Sequence, residues 1–179
     1  MAYGFASNGN FVGLFKRTLD GSNTTTLVLG RPDADIDSLV QLGRKQRVVG
    51  ASYATEKRLV EYFDPELKLL AAGLSRALGA GKQVSIIDAT ADESKMLVFA
   101  GSDTDPGKFY VYYKATRGLG ELLPIRPELA KLNMGAMKPV QFPASDGTLI
   151  PGYLTLPPGS GRQEPSRYRH ASRWAKFAR

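Results

Sequence analysis

Short apolar runs separated by clusters of turn-forming residues recur along most of the chain, which predicts a protein built mainly from β-strands. In the second half, these runs follow one another at a spacing of about ten residues. The predicted strands cover residues 11–19, 24–29, 48–53, 58–63, 84–89, 96–100, 109–114 and 121–125. The last four, joined by short turns, are typical of one four-stranded propeller blade or of a sandwich meander.

Alternation is weak in residues 109–113, which read Phe-Tyr-Val-Tyr-Tyr. A strand that is covered on both faces has this pattern, because neither face has to be polar. We therefore expect this strand to lie between two layers, as a strand does between neighbouring blades of a propeller.

One segment between the predicted strands has helical periodicity. Asp64 is a suitable N-cap, Pro65 suits the first helical position, and Gly79 ends the pattern. We predict an amphipathic helix packed on the sheet, with a partner-binding helix as the alternative. Its apolar stripe consists of Leu67, Leu70, Ala71, Leu74 and Leu78.

The pattern changes near residues 133–139, where we place a domain junction. Residues 140–142 and 149–156 predict a hairpin around the turn at 144–147. Pro151 interrupts the second arm and Pro157 follows it, so this hairpin should lie at the edge of a sheet.

The last nineteen residues, 161–179, have no apolar periodicity and carry five of the seven net positive charges of the chain. The chain has no cysteine, and its one histidine, His170, lies in this tail. The body therefore offers no thiolate and no imidazole for a metal site or a catalytic triad. The start of the chain lacks the features of a signal peptide, and no apolar run is long enough to span a membrane. A cytoplasmic protein is expected.

Two acidic clusters are candidates for metal binding. Asp33, Asp35 and Asp37 have the spacing of a calcium loop, but Ser38 and Arg44 occupy the positions that require glycine and glutamate. We expect a solvated loop there instead. Asp103 and Asp105 are expected to shape a turn before Pro106 and Gly107, with metal binding as the less favoured alternative.

Glycine-rich motifs do not indicate a phosphate site or a nucleophile. The pairs at 79–81, 118–120 and 159–161 lack the third glycine of a phosphate-binding loop, so we expect turns. Residues 73–77 have part of a nucleophile-elbow pattern, but they lie inside the predicted helix. The sequence therefore assigns no catalytic, cofactor-binding or metal-binding residue.

Three segments together resemble the prolyl oligopeptidase family of serine peptidases, in particular its bacterial acylaminoacyl-peptidase-like and dipeptidyl-peptidase-like members. They are residues 49–53 with 58–65, residues 97–107, and residues 138–154. The third segment is the most specific, since it is similar to the strand pair where such enzymes pass from a β-propeller into an α/β-hydrolase domain.

The resemblance implies three regions: a partial β-propeller over 1–137, the start of a peptidase domain over 138–160, and a basic tail over 161–179. In the complete enzyme, a hydrolase, the propeller restricts access of short peptides to a Ser-His-Asp triad. No triad residue can be carried over, and no cofactor is implied. We expect this chain to be inactive alone and to self-associate through exposed blade edges.

Codons permitted for residues 162–177, read one base later, allow Gly-Lys-Asn-Leu-Pro-Ala-Ile-Val-Met-Pro-His-Gly-Gly-Pro, the continuation that the family shows. Trp174 gives glycine in that frame without choice. We therefore interpret the tail as an out-of-frame segment, with disorder as the simpler alternative.

Two other functions are open. The chain could be a self-sufficient β-rich interaction module. The tail, in which Tyr168, His170 and Trp174 alternate with basic residues, could bind single-stranded nucleic acid, although this is the less favoured function.

Overall fold

The computed structural model describes residues 1–79 and 81–159, which form four antiparallel sheets and one α-helix. Every sheet consists of strands that follow one another in the sequence. Sheet A contains β1 (Ala2–Asn8), β2 (Phe11–Arg17) and β3 (Thr25–Leu29). Sheet B contains β4 (Ile36–Leu42), β5 (Arg47–Ala54) and β6 (Arg58–Tyr62).

The second half of the chain forms the two remaining sheets. Helix α1 (Pro65–Leu78) joins sheet B to sheet C, and a short 3-10 helix, Pro127–Leu129, follows sheet C. Sheet C contains β7 (Gln83–Ala89), β8 (Lys95–Gly101), β9 (Lys108–Tyr113) and β10 (Gly118–Pro124). Sheet D is the hairpin of β11 (Met137–Pro143) and β12 (Leu149–Thr155).

The predicted meander and the predicted terminal hairpin are both confirmed. Sheet C has the strand order β10-β9-β8-β7, which is the order of a simple meander. In sheet D, Pro151 lies opposite Gln141 in a two-stranded sheet, where both strands are edges and a missing N–H is tolerated.

Helix α1 begins and ends as the sequence predicts. Asp64 accepts hydrogen bonds from the backbone N–H groups of Glu66 at 2.9 Å and Leu67 at 3.4 Å. Gly79 ends the helix with φ of +106°, a conformation that disfavours other residues. Leu67 and Leu74 are buried against the sheets, so the helix packs on the sheet as expected.

Strand β1 was not predicted. Its residues, Ala-Tyr-Gly-Phe-Ala-Ser-Asn, are mostly exposed, so no burial pattern marks the strand in the sequence. It is held instead by continuous pairing with β2, from Ala2 opposite Arg17 to Asn8 opposite Phe11.

The solvated loop predicted around Asp33 to Asp37 is confirmed for Asp33 and Asp35, which are exposed and precede β4, and is wrong from Ile36 onward, where β4 begins. Ala34 and Ile36 are buried, with 6% and 1% of their surface exposed, and Asp37 lies within the strand. Ala34 and Ile36 alternate with the aspartates and point into the core, so the segment has the alternating apolar and polar pattern of a strand. The acidic residues made this pattern difficult to recognise in the sequence. The expected turn at 118–120 is also wrong, because these residues belong to β10 and the turn before them is made by Thr116 and Arg117.

Two hydrophobic clusters place sheet B between sheets A and C. The first joins sheet B to α1 and sheet C, and the second joins sheet B to sheet A. The first cluster contains Leu42, Val49, Tyr62, Leu67, Ile86 and Met96. The second contains Leu14, Ala34, Ile36, Ala51 and Tyr53.

The outer face of sheet C is apolar and only partly covered. Phe109 lies opposite Phe99 and Val111 opposite Leu97, so all four side chains share this face. Tyr113, farther along the same face, is 41% exposed. Tyr112 packs into the first cluster on the other face. Within the described residues, Lys108 to Tyr112 are partly buried on both faces and Tyr113 is exposed, so the expected cover of two faces is found only in part.

Core packing predicts a large difference between two leucine substitutions. Leu42→Ala should destabilise the fold by about 2–5 kcal/mol, because it leaves a cavity in the first cluster. The matched control is Leu69→Ala on the exposed side of α1, where Leu69 is 73% exposed and the expected change is within about 0.5 kcal/mol. Urea unfolding measures both, and equal losses would contradict this account of the core.

Candidate binding cavity

A cavity of about 880 Å³ lies between β6, α1, the start of β7 and the hairpin of sheet D. Among the described residues, strand β6 pairs only with β5 and β7 pairs only with β8, so both strands that border the cavity are sheet edges. Helix α1 contributes Ala71, Ala72 and Ser75 to its wall. These side chains are small, so they leave room beside the edge of β6.

Tyr62 connects the two edge strands. Its hydroxyl oxygen accepts a hydrogen bond from the backbone N–H of Ile86 at 3.2 Å. Burial raises the pKa of the Tyr62 phenol, although the bond from Ile86 acts in the opposite direction. Tyr62 is therefore a neutral structural acceptor and does not serve as a base.

Two lysines beside the cavity form ion pairs. Lys68 contacts Glu61 at 2.6 Å, and Lys82 contacts Asp105 at 2.7 Å. Hydrogen bonding to Glu61 raises the pKa of Lys68, so its amine stays protonated and is not a nucleophile. Lys82 and the N–H of Gly107 lower the pKa of Asp105.

The hairpin of sheet D is fixed to two sides of the cavity. The Tyr153 hydroxyl donates to the backbone carbonyls of Glu56 at 2.7 Å and Thr55 at 3.3 Å in the turn between β5 and β6. The backbone N–H of Met137 donates to the Asp103 carboxylate at 2.6 Å. The open end of the hairpin, opposite its turn, is thus bonded to both sheet B and sheet C.

The two aspartates at 103 and 105 have structural roles. Asp105 and Ser102 exchange backbone hydrogen bonds of 2.9 and 3.3 Å, and the Asp105 carboxylate accepts from the N–H of Gly107 at 3.0 Å. This confirms the predicted turn. No group of three or more residues that could hold a metal ion occurs in residues 1–79 and 81–159.

Asp37 and Ser52 form a small polar network beside the cavity. The Ser52 hydroxyl, which is almost fully buried, donates to Asp37 at 2.5 Å, and Arg58 donates to Asp37 at 2.8 Å and to Ser52 at 3.1 Å. A serine nucleophile needs a base that takes its proton, and here the carboxylate is held by a guanidinium. The network fixes the ends of β4 and β6 and has no catalytic arrangement.

The other acidic residues of the rejected calcium loop also have separate partners. Asp33 forms an ion pair with Arg31 at 2.8 Å, and Asp35 accepts a hydrogen bond from the backbone N–H of Val12 at 2.7 Å. The structure therefore does not bring Asp33, Asp35 and Asp37 to one ligand.

The remaining sequence motifs do not contribute chemistry to the cavity. Residues 73–77 lie within α1, as predicted. The single histidine, His170, and the basic and aromatic residues of the tail lie outside the described residues, so their nucleic-acid role stays a prediction. In the described part of the chain, the cavity has groups that can bind a ligand but no serine beside an imidazole.

A second cavity, of about 580 Å³, lies between α1 and sheet C, next to Arg47. The Arg47 guanidinium donates to both carboxylate oxygens of Glu93, at 2.9 and 2.8 Å, and to Asp64 at 3.0 Å. It lowers the pKa of Glu93. For Asp64, burial alone would raise the pKa, but hydrogen bonds from Arg47 and from the helix N-terminus lower it. Arg47 therefore joins β5, the start of α1 and the turn before β8.

Comparison of the chain with models of known protein families found no match, and comparison with curated proteins found no significant match. In the described part of the chain, no helix has the length and apolar character that a membrane crossing requires.

The Arg47 network predicts a dependence of stability on pH. Because the folded-state pKa values of Asp64 and Glu93 are lowered, the ion pairs stabilise the fold above the ordinary values of 3.8 and 4.5 and lose this effect as the pH falls through the lowered values. Arg47→Gln should cost about 1 kcal/mol at neutral pH, since the pairs are partly exposed, and less below about pH 4. Urea unfolding at pH 7 and pH 3 measures this difference.

Arg44→Gln is the matched control for that measurement, since it removes the same charge from an exposed arginine that makes no ion pair among the described residues. If both variants lost the same free energy of unfolding, or if the loss for Arg47→Gln did not depend on pH, the role given to Arg47 would be contradicted.

The hydroxyl of Tyr153 predicts how firmly the hairpin is held. Tyr153→Phe should weaken the attachment of sheet D by about 1 kcal/mol, because the bonds to Thr55 and Glu56 are lost. Hydrogen exchange of residues 137–155 should become faster while sheets B and C are unchanged. Tyr3→Phe is the control, since Tyr3 has nearly the same exposure and no hydroxyl bond among the described residues. Identical exchange in both variants would show that the Tyr153 bonds do not hold the hairpin.

Proposed function

We propose that the chain is the propeller portion and the first hydrolase-domain hairpin of a serine peptidase similar to the prolyl oligopeptidases. In this proposal the complete enzyme hydrolyses peptide bonds in short peptides, and the portion formed by this chain restricts the access of substrate. The chain itself carries out no acyl transfer.

The observation that carries this proposal is the stacking of sheets A, B and C. Each is an antiparallel meander of consecutive strands, and each packs face to face on the next through a hydrophobic cluster. Successive blades of a propeller pack in this way, because each blade buries its faces against its two neighbours. Sheets A and B have three strands each, so both are incomplete blades in this proposal.

The partly covered face of sheet C supports the same proposal. Ile87, Tyr113 and Leu123 are each between 41% and 47% exposed, and a further blade would cover them. In the absence of that blade, this face would drive self-association of the isolated chain. Exposed edge strands would add to this tendency.

Sheet D supports the second part of the proposal. Its hairpin contains the segment with the most specific resemblance, residues 138–154, and it is attached to the stacked sheets by Tyr153 and Met137. A hairpin that leaves the stacked sheets as a separate two-stranded unit suits a junction between two domains.

A self-sufficient interaction module is the second candidate. It is supported by the cavity, in which small and apolar side chains lie beside two sheet edges and leave space for a ligand. The two functions differ in whether the apolar face of sheet C has to be covered by further residues.

The coding DNA tests the proposed function. We expect the codons of residues 162–177, read one base later, to encode an apolar run followed by His-Gly-Gly-Pro, and the downstream DNA to encode a serine within Gly-x-Ser-x-Gly. Protein expressed from the shifted frame should be labelled by a fluorophosphonate probe, whereas the 179-residue chain should not. A shifted frame without these motifs, or labelling of the 179-residue chain at a specific serine, would contradict the proposal.

A further inference from the structure

The outer edge of β6 carries backbone hydrogen-bonding groups that sheet B does not use. The backbone N–H of Phe63 donates to the carbonyl of Val49 at 2.8 Å, and the N–H of Thr55 donates to the carbonyl of Lys57 at 3.1 Å. These two bonds show which of the opposite residues in the β5–β6 ladder are hydrogen-bonded to each other. Because pairing alternates along an antiparallel ladder, the odd-numbered residues of β6 bond to β5. The N–H and C=O groups of Val60 therefore point away from β5, into the cavity.

The edge of β7 faces the same cavity from the other side. The N–H of Ile86 points away from β8, since it donates to the Tyr62 hydroxyl. Val84 is two residues earlier in a regular part of the strand, so its backbone groups point in the same direction. Two sheet edges thus border one space, and Tyr62 closes that space at one end.

The shape and charge of the cavity suit an extended, uncharged chain segment. Its volume of about 880 Å³ lies within the range of ligand sites, and Val60, Val84 and Phe99 offer apolar contacts. Lys68 and Lys82 are already paired with carboxylates, so these two lysines do not call for an anionic ligand.

We propose that this cavity binds an extended peptide segment, with apolar side chains at alternate positions, as an additional strand on the edge of β6. Main-chain hydrogen bonds would give the affinity, and apolar contacts would select the side chains. The β6 edge is recessed between α1 and the side of sheet D that carries Tyr153. This recess admits a single peptide strand more readily than the edge strand of a second copy of the chain. This inference does not depend on the proposed peptidase relationship.

Fluorescence anisotropy with a labelled Val-Thr-Val-Thr-Val peptide tests the inference on the full chain. Two matched peptides are methylated on the backbone nitrogens, one at its valines and the other at its threonines. Each therefore lacks the N–H groups along one of the two edges of the extended peptide. We expect saturable binding of the unmodified peptide and a loss of about tenfold or more for at least one methylated form. No binding, or equal binding of all three peptides, would overturn the inference.

A protein variant gives a second readout. Val60→Pro removes an N–H that the β5–β6 ladder does not use, so an edge strand tolerates it, and we expect about tenfold weaker binding. Val60→Ile keeps both the N–H and the apolar side chain, so it should restore the binding that the proline variant loses. Circular dichroism checks the fold, and if the proline variant does not fold, the methylated peptides decide.

Sedimentation of the same samples tests whether a second copy of the chain occupies the β6 edge instead of a peptide. A dimer that Val60→Pro dissociates, together with no binding of the peptide, would mean that a second copy covers the β6 edge, and this result would also overturn the inference.

Discussion

Sheet B carries a hydrophobic cluster on each of its two faces, and sheets A and C and helix α1 are held to it through these clusters. Within β5, every residue from Val49 to Tyr53 is buried, so this strand has no solvent-facing side. Gly50 is part of the same constraint. A Cβ atom at this position would lie 2.6 Å from the carbonyl oxygen of Glu61, so only glycine lets β6 pair this closely with β5.

The cavity lies beside the edge strands β6 and β7, whose outer edges are not covered by the two hydrophobic clusters. Sheet B ends at β6, sheet C ends at β7, and α1 spans the gap with small side chains on this side. Lys68 and Lys82 beside the gap are paired with carboxylates, and the gap also offers backbone groups and apolar side chains for binding. Sheet D closes the other side through bonds at only a few positions, so we expect it to open more easily than the packed sheets.

The elements with strong local signals were predictable from the sequence. Asp64, Pro65 and Gly79 marked both ends of α1, and the turns between β7 and β10 marked the meander of sheet C. Strand β1 was not predictable, because its residues are exposed and it exists through pairing with β2. Strand β4 was concealed by acidic residues that each bind a different partner. The cavity depends on contacts such as that of Tyr153 with Glu56, which are 97 residues apart in the sequence and leave no local signal.

The strand order within each sheet has a consequence for synthesis on the ribosome. Because every sheet is made of consecutive strands, most of its pairing joins residues close in the chain, and such contacts form quickly. The nascent chain can therefore complete sheet A before sheet B has emerged, and then add each later sheet to a surface that already exists. Sheet C differs from the other sheets, since the described residues cover its apolar outer face only in part, and we expect this face to be accessible to chaperones during synthesis.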